Sequence, residues 1–218
     1  MTKTGAGQIL THLRDEGPTS RAELARQTGI SSAGVTKITA QLLADGIVRE
    51  REVPGQSIGR PPVFLSLRPR ARRVLAIHLE VGRIRVALCD LSLGRGPIMT
   101  GDFDPEAPVE EVIAATVRLA RAVLEAEGSA PGEVLGVGVG LPGAVDATRR
   151  SNVLSILAGW RNVPFADAFE AALGLPVVLE HNATAIAMAE ARYGDGRDAA
   201  SILHLFLGRG IGGGFAQT

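Results

Sequence analysis

Apolar residues recur at helical spacing along the first part of the chain and then switch to alternation. From Gly7 to Leu13, Ile9, Leu10 and Leu13 fall on one face, and Gly17-Pro18 ends the segment. In TSRAELARQTGI, Ser20-x-x-Glu23 has the spacing of a capping box, with each side chain bonding the other residue's amide, and Gly29 supplies a stop. Ser31 or Ser32 then starts a third helix running to Ala44, with Val35, Ile38, Leu42 and Leu43 facing inward. VREREV and VFLSL alternate like two strands joined by PGQSIGRPP. Three helices and a hairpin predict a winged helix-turn-helix.

From Val74 the pattern changes. VLAIHLEV and RIRVALCDL read as a strand hairpin, PIMTGDF as a third strand, and Pro108 to Glu127 as an amphipathic helix carrying Val112, Ile113, Val117, Leu119 and Leu124. VLGVGVGLPGAVD is a buried strand breaking into a Gly-Pro turn. A helix over Phe165 to Leu173, the strand PVVLE and an alanine-rich helix follow, and SILHLFLGRGIGGG reads as a strand plus a glycine loop. The expected fold class is therefore α+β and α/β: a winged helix over residues 1–70, then a layered domain over 71–218 whose loops gather at the carboxyl ends of strands.

Charge sharpens that division. Residues 1–73 hold twelve Lys and Arg against six Asp and Glu, or +6, and the remainder holds eleven against seventeen, or −6. A basic module is joined to an acidic one. Cys89, the single cysteine, excludes an internal disulfide framework or a cysteine-cluster zinc site and reads as a small buried hydrophobe. MTKTGAGQILTHLRDEG lacks the basic-then-apolar order of a signal peptide, and no apolar run nears membrane-spanning length, so a soluble cytoplasmic protein is expected.

The third helix opens with Ser31, Ser32, Gly34, Thr36 and Lys37, short polar groups and one cation around a residue without a side chain. Such a surface suits the major groove, and Arg60 in Gly59-Arg60-Pro61-Pro62 suits the narrower minor groove. A capped helix pair with a hairpin also serves protein contacts, but charge and wing together favour double-stranded DNA.

The winged helix and GRPPVFLSL, followed by GVGVGLPGAVD, GWRNVPF, LGLPVVLEHNATAIAMAE and LGRGIGGG, resemble the ROK family of repressors, open reading frames and kinases over nearly the whole chain. The resemblance implies the first lobe of an actin-like, RNase H-like sugar-kinase fold, and the winged helix points to the regulator branch. Family kinases carry Asp-x-Gly-Gly-Thr where this chain has His78-Leu79-Glu80-Val81-Gly82, whose side chains would crowd ATP phosphates and add like charge. Their catalytic Asp lies in Glu-Asn-Asp-Ala-Asn, matched here by Glu180, His181, Asn182, Ala183 and Thr184. An amide can bond a hydroxyl but cannot take its proton.

Where family kinases place an Asn before Leu-x-x-Trp to contact the sugar, Ile156 stands here, and Arg209 replaces a small hydroxyl residue in the second phosphate loop. The Gly140-Leu141-Pro142-Gly143 turn is retained and either presents amides to a sugar hydroxyl or simply reverses the chain. The family's second lobe, with its Glu-x-Gly-His sugar motif and zinc site, is not among these residues, and apolar surface is expected at Leu203, Leu205 and Phe215.

The reading is a homodimeric DNA-binding regulator of carbohydrate metabolism, a repressor, with a catalytically inactive sensor domain. Gly143, Glu180, His181 and Asn182 form its effector site for a sugar or sugar derivative, with no catalytic residue, metal or cofactor. The alternatives are an ATP-dependent sugar kinase fused to a DNA-binding module, and a DNA-binding remnant with no effector.

Overall fold

The computed structural model describes residues 4–52, 63–130, 132–146, 148, 150–208 and 210–217. They divide into two compact units, one of residues 1–73 with 90–94 and the other of residues 74–89 with 95–218.

In the first unit, α1 (Gly5–Asp15), α2 (Arg21–Thr28) and α3 (Ser32–Ala44) precede the antiparallel strands β1 (Val48–Glu52) and β2 (Val63–Leu67). Each helix starts on a hydroxyl: Thr4, Ser20 and Ser31 accept from the amides of Gly7, Glu23 and Gly34. The capping box is only half formed, because the Glu23 carboxylate turns to Arg26 and Gln27 instead of back to Ser20. Gly29 ends α2 in the left-handed conformation that glycine adopts without steric cost. Ile9, Leu13, Leu24, Val35, Leu42, Val48, Leu65 and Leu67 form the core. Thr19 and Leu65 exchange both backbone bonds, at 3.0 and 2.9 Å, which ties the start of α2 to the hairpin. The loop PGQSIGRPP and Arg60 lie outside the described residues.

The second unit is built on a five-stranded sheet of order β10-β6-β3-β4-β5. Its strands are β3 (Arg73–Glu80), β4 (Arg83–Asp90), β5 (Met99–Asp102), β6 (Val134–Leu141) and β10 (Val177–His181). Helices α4 (Val109–Ala126) and α5 (Phe165–Leu173) contribute Val112, Val117, Val123, Phe165 and Phe169 to a core shared with Leu75, Leu79, Val86, Val139 and Leu179. β6 and β10 are parallel, with His181 opposite Leu141, so both strands deliver the chain to the same edge of the sheet. Helix α6 (Asn182–Tyr193) begins immediately where β10 ends.

Several features depart from the sequence expectation. Residues 144–163 form a small antiparallel sheet of β7 (Ala144–Asp146), β8 (Ser151–Ser155) and β9 (Trp160–Val163). Alternation could not reveal it, because β8 buries the adjacent polar residues Ser151 and Asn152. The terminal glycines form a strand and not a loop: β11 (Ser201–Leu207) pairs antiparallel with β12 (Ile211–Gln217). Glycine is required at 214 because a Cβ there would lie 2.0 Å from the Ala183 carbonyl oxygen on α6. Cys89, expected as a small buried hydrophobe, is half-buried.

Candidate DNA-binding face and effector cleft

Helix α3 presents its first two turns outward. Ser31, Ser32, Thr36 and Lys37 are exposed, whereas Val35, Thr39 and Leu42 face the core. The hydroxyls are partly engaged in the helix's own bonding: Ser31 Oγ accepts from the Gly34 amide at 3.2 Å, and Thr36 Oγ1 donates to the Ser32 carbonyl at 2.9 Å. Gly34 is half-buried, and the space beside its Cα is filled by Ile30 and Ser31: a Cβ would meet Ile30 Cγ2 at 2.9 Å. Its lack of a side chain therefore serves the turn between α2 and α3.

Several cations of this unit are committed to nearby acids. Arg14 pairs with Asp15 at 2.7 Å, Arg26 with Glu23, and Arg21 with Glu50 at 2.8 Å while also reaching Thr39 at 3.3 Å. The Arg26 guanidinium, helped by Gln27, holds the Glu23 carboxyl below its usual range. Arg21 thus links α2, α3 and β1, a brace that sequence spacing alone did not indicate.

In the second unit a cleft of about 360 Å³ opens where β3 and β10 end, bounded by the Pro142-Gly143 turn, the end of β8 and the tip of the β11–β12 hairpin. Gly143, His181 and Asn182 all line it, and so does Glu80. Glu180 does not join them. Its position on β10 directs it into a neighbouring groove of about 340 Å³ beside His78, Gly138 and Ile186.

Asn182 is the first residue of α6 and only 6% exposed. Its Oδ1 accepts from the Ala183 amide at 2.8 Å. His181 occupies the N-cap position without capping the helix through its side chain, and Nδ1 lies 3.2 Å from Thr184 Oγ1. The Glu80 carboxylate is held by Arg85 and sits 3.9 Å from His78 Nε2. Burial pushes the His78 imidazole below its usual range, opposed by the charge of Glu80 and reinforced by that of Arg85.

Gly143 has φ +83°, and a Cβ would come within 2.3 Å of the Leu154 carbonyl oxygen. The turn is therefore pressed against β8 in a conformation that favours glycine. Asn152, fully buried, donates through Nδ2 to the carbonyls of Pro142 at 3.0 Å and Ala144 at 3.4 Å, clamping the turn from below. Sequence reasoning missed this residue, since a single Asn in a short apolar segment carries no spacing signal. Ile156, at the position where family kinases place a sugar-contacting Asn, lines the cleft and is 81% exposed. Arg209 lies outside the described residues. Among the described residues no group of three or more His, Cys, Asp or Glu side chains is placed to hold a metal ion, and no helix is long and apolar enough to cross a membrane.

The model of the ROK family matches residues 76–218. The chain belongs to the ROK family. Residues 7–49 match a winged helix-turn-helix DNA-binding family. The xylose repressor of Caldicellulosiruptor bescii is 24% identical over 212 residues, 94% of this chain and 52% of the relative. A glucokinase of Streptomyces coelicolor is 34% identical over 148 residues, 64% of this chain and 43% of the relative. A ROK family transcriptional regulator, described as a homologue of the Escherichia coli MLC protein, superposes with a TM-score of 0.82 at 22% identity. It covers 99% of this chain and 54% of its own, and supports the fold of both modules. The chain spans about half the length of the curated relatives it matches.

Proposed function

We propose that this ROK protein is a cytoplasmic, homodimeric DNA-binding regulator of carbohydrate metabolism, a repressor, whose kinase-like domain senses a sugar or sugar derivative without phosphorylating it. The observation that carries the reading is the outward polar start of α3, with Ser31, Ser32, Thr36 and Lys37 exposed on a helix whose opposite face is anchored in the core. In this scheme Ser32, Thr36 and Lys37 read or position the major groove, Ser31 and Gly34 set the helix entry, and Arg60 reaches the minor groove. Residues 1–70 form the DNA-binding domain and 71–218 the sensor.

Within the sensor, His181, Asn182 and the turn at Gly143 contact the effector, and Glu180 acts from the neighbouring groove by fixing the His181 amide, which donates to Glu180 Oε1 at 2.8 Å. Asn182 can bond a hydroxyl through its amide but cannot accept the proton that phosphoryl transfer requires. Effector binding changes DNA affinity by favouring one arrangement of the two DNA-binding domains over another.

Footprinting of the DNA upstream of the gene tests the proposal. Two protected half-sites separated by about one helical turn, roughly 34–36 Å, or a multiple of it are expected for a two-fold symmetric regulator. An unprotected upstream region would refute it. The glucokinase likeness favours a second reading, an ATP-dependent sugar kinase. A coupled ATP assay across hexoses and N-acetylhexosamines separates the two, because turnover lost in Asn182→Ala or His181→Ala would establish catalysis at this site.

A further inference from the structure

We infer that Arg21 and Glu50 are a specificity-determining pair: together they fix α3 against the strand β1, and so set how strongly the head prefers its own site over random duplex without touching a base. This rests on the DNA-binding role proposed above and adds two positioning residues to it. Arg21 stands on a rigid base. The preceding Ser20 caps α2 by accepting from the Glu23 amide, and Thr19 is bridged to Leu65 of β2 through both backbone bonds. From there the guanidinium forks: Nε donates to Thr39 Oγ1 of α3 at 3.3 Å, and Nη2 donates to Glu50 Oε1 of β1 at 2.8 Å. A planar fork with donors in fixed directions can hold two elements at a set angle. Thr39, fully buried, passes the contact on, because its hydroxyl donates to the carbonyl of the exposed Thr36 at 3.2 Å.

Attraction to DNA gives no reason for Glu50. Its carboxylate is 50% exposed, in a module where twelve Lys and Arg outnumber six Asp and Glu, and a free carboxylate there repels the phosphates that the module must approach. A pair this exposed adds little to stability either. Its place on β1 supplies the reason. Glu50 shares a face of the strand with the buried Val48, which presents its carboxylate to the first residue of α2. β1 then continues into PGQSIGRPP, the segment that carries Arg60. A recognition helix and a wing can meet successive grooves in register only if the angle between them is held, whereas attraction to phosphate survives a change of angle. The pair therefore acts on preference and not on bulk affinity.

Anisotropy titrations of the full chain with a duplex covering the protected DNA upstream of the gene, and with a scrambled duplex of the same length and composition, test this. Arg21→Gln combined with Glu50→Gln removes one charge of each sign, so net charge is unchanged. The double variant should bind the scrambled duplex as the unsubstituted protein does, with the same salt dependence. Its preference for the upstream duplex should fall about ten-fold, the loss expected of one misplaced base contact. Thr39→Val keeps the shape of a buried side chain that cannot reach DNA and removes its oxygen, so it should lower the preference in the same direction while the protein stays folded. A preference retained in either variant would overturn the pair's role and leave DNA binding standing. A salt dependence flattened by about one counterion in the double variant would overturn it too, since Arg21 would then be touching phosphate. Equal affinity of the unsubstituted protein for the two duplexes would overturn both the pair's role and the regulator reading.

Discussion

The first turns of α3 and α6 are built in opposite ways. α3 begins on a serine that bonds its own helix amide and leaves Ser32, Thr36 and Lys37 in water. α6 begins without a side-chain cap from His181, on an Asn182 that is 6% exposed and turned to the neighbouring amide. An exposed, self-capped helix start can meet a large flat partner such as a duplex. A sunken start beneath a glycine turn and a hairpin can meet only what fits the cleft. The same element thus offers a surface in one unit and a pocket floor in the other, and the difference lies in what packs over it.

Substitutions at the two helix starts sharpen this contrast. The largest effect is expected at α6: Gly214→Ala drives a methyl into the Ala183 carbonyl and should cost about 3 kcal/mol, read from the denaturant midpoint. An unchanged midpoint would mean that β12 does not press on α6 in solution. At α3 the corresponding loss is smaller. Ser31→Ala removes the cap and should cost about 1 kcal/mol, seen as faster hydrogen exchange of the α3 amides. His181→Ala removes no cap, so α6 should lose less than about 0.5 kcal/mol on the same measurement, and a loss equal to that of Ser31→Ala would erase the distinction.

The smallest expected effect depends on pH. Burial disfavours the charged form of His78, so its folded pKa lies below its unfolded value near 6.5. As pH falls through that value the unfolded chain binds a proton that the folded chain resists, and stability declines until the folded pKa is reached, then levels off. The difference in melting temperature between the protein and His78→Gln should be constant above about pH 7.5 and shift toward pH 5.5, with the substituted protein losing less as pH falls. Parallel curves would show that His78 titrates freely.

Period and punctuation make most of this fold legible in the sequence. The capped start at Ser20, a start of α3 at Ser31 or Ser32, the apolar face of α4 and the bounds of α5 between Phe165 and Leu173 follow from spacing and from terminal glycines, and the structure puts the α3 cap on Ser31. Elements whose signal lies in close approach were not legible. β12 reads as a loop because glycines show no alternation, and its reason for being glycine-rich at 214 is a carbonyl on another element. β7 to β9 are short and bury polar residues, and the Asn152 clamp depends on carbonyls eight and ten residues away. In the cleft, His181, Asn182 and Gly143 were identifiable through resemblance to a kinase motif, while the divergence of Glu180 into a second groove follows from strand alternation at β10.

Fluorescence anisotropy of upstream DNA at two salt concentrations, with the intact chain and with Lys37→Ala, tests the DNA-binding claim most directly. The expected result is an affinity that falls steeply with salt and weakens by about 1–3 kcal/mol in Lys37→Ala, less if Lys37 touches only phosphate. No binding, or binding indifferent both to salt and to Lys37, would contradict it.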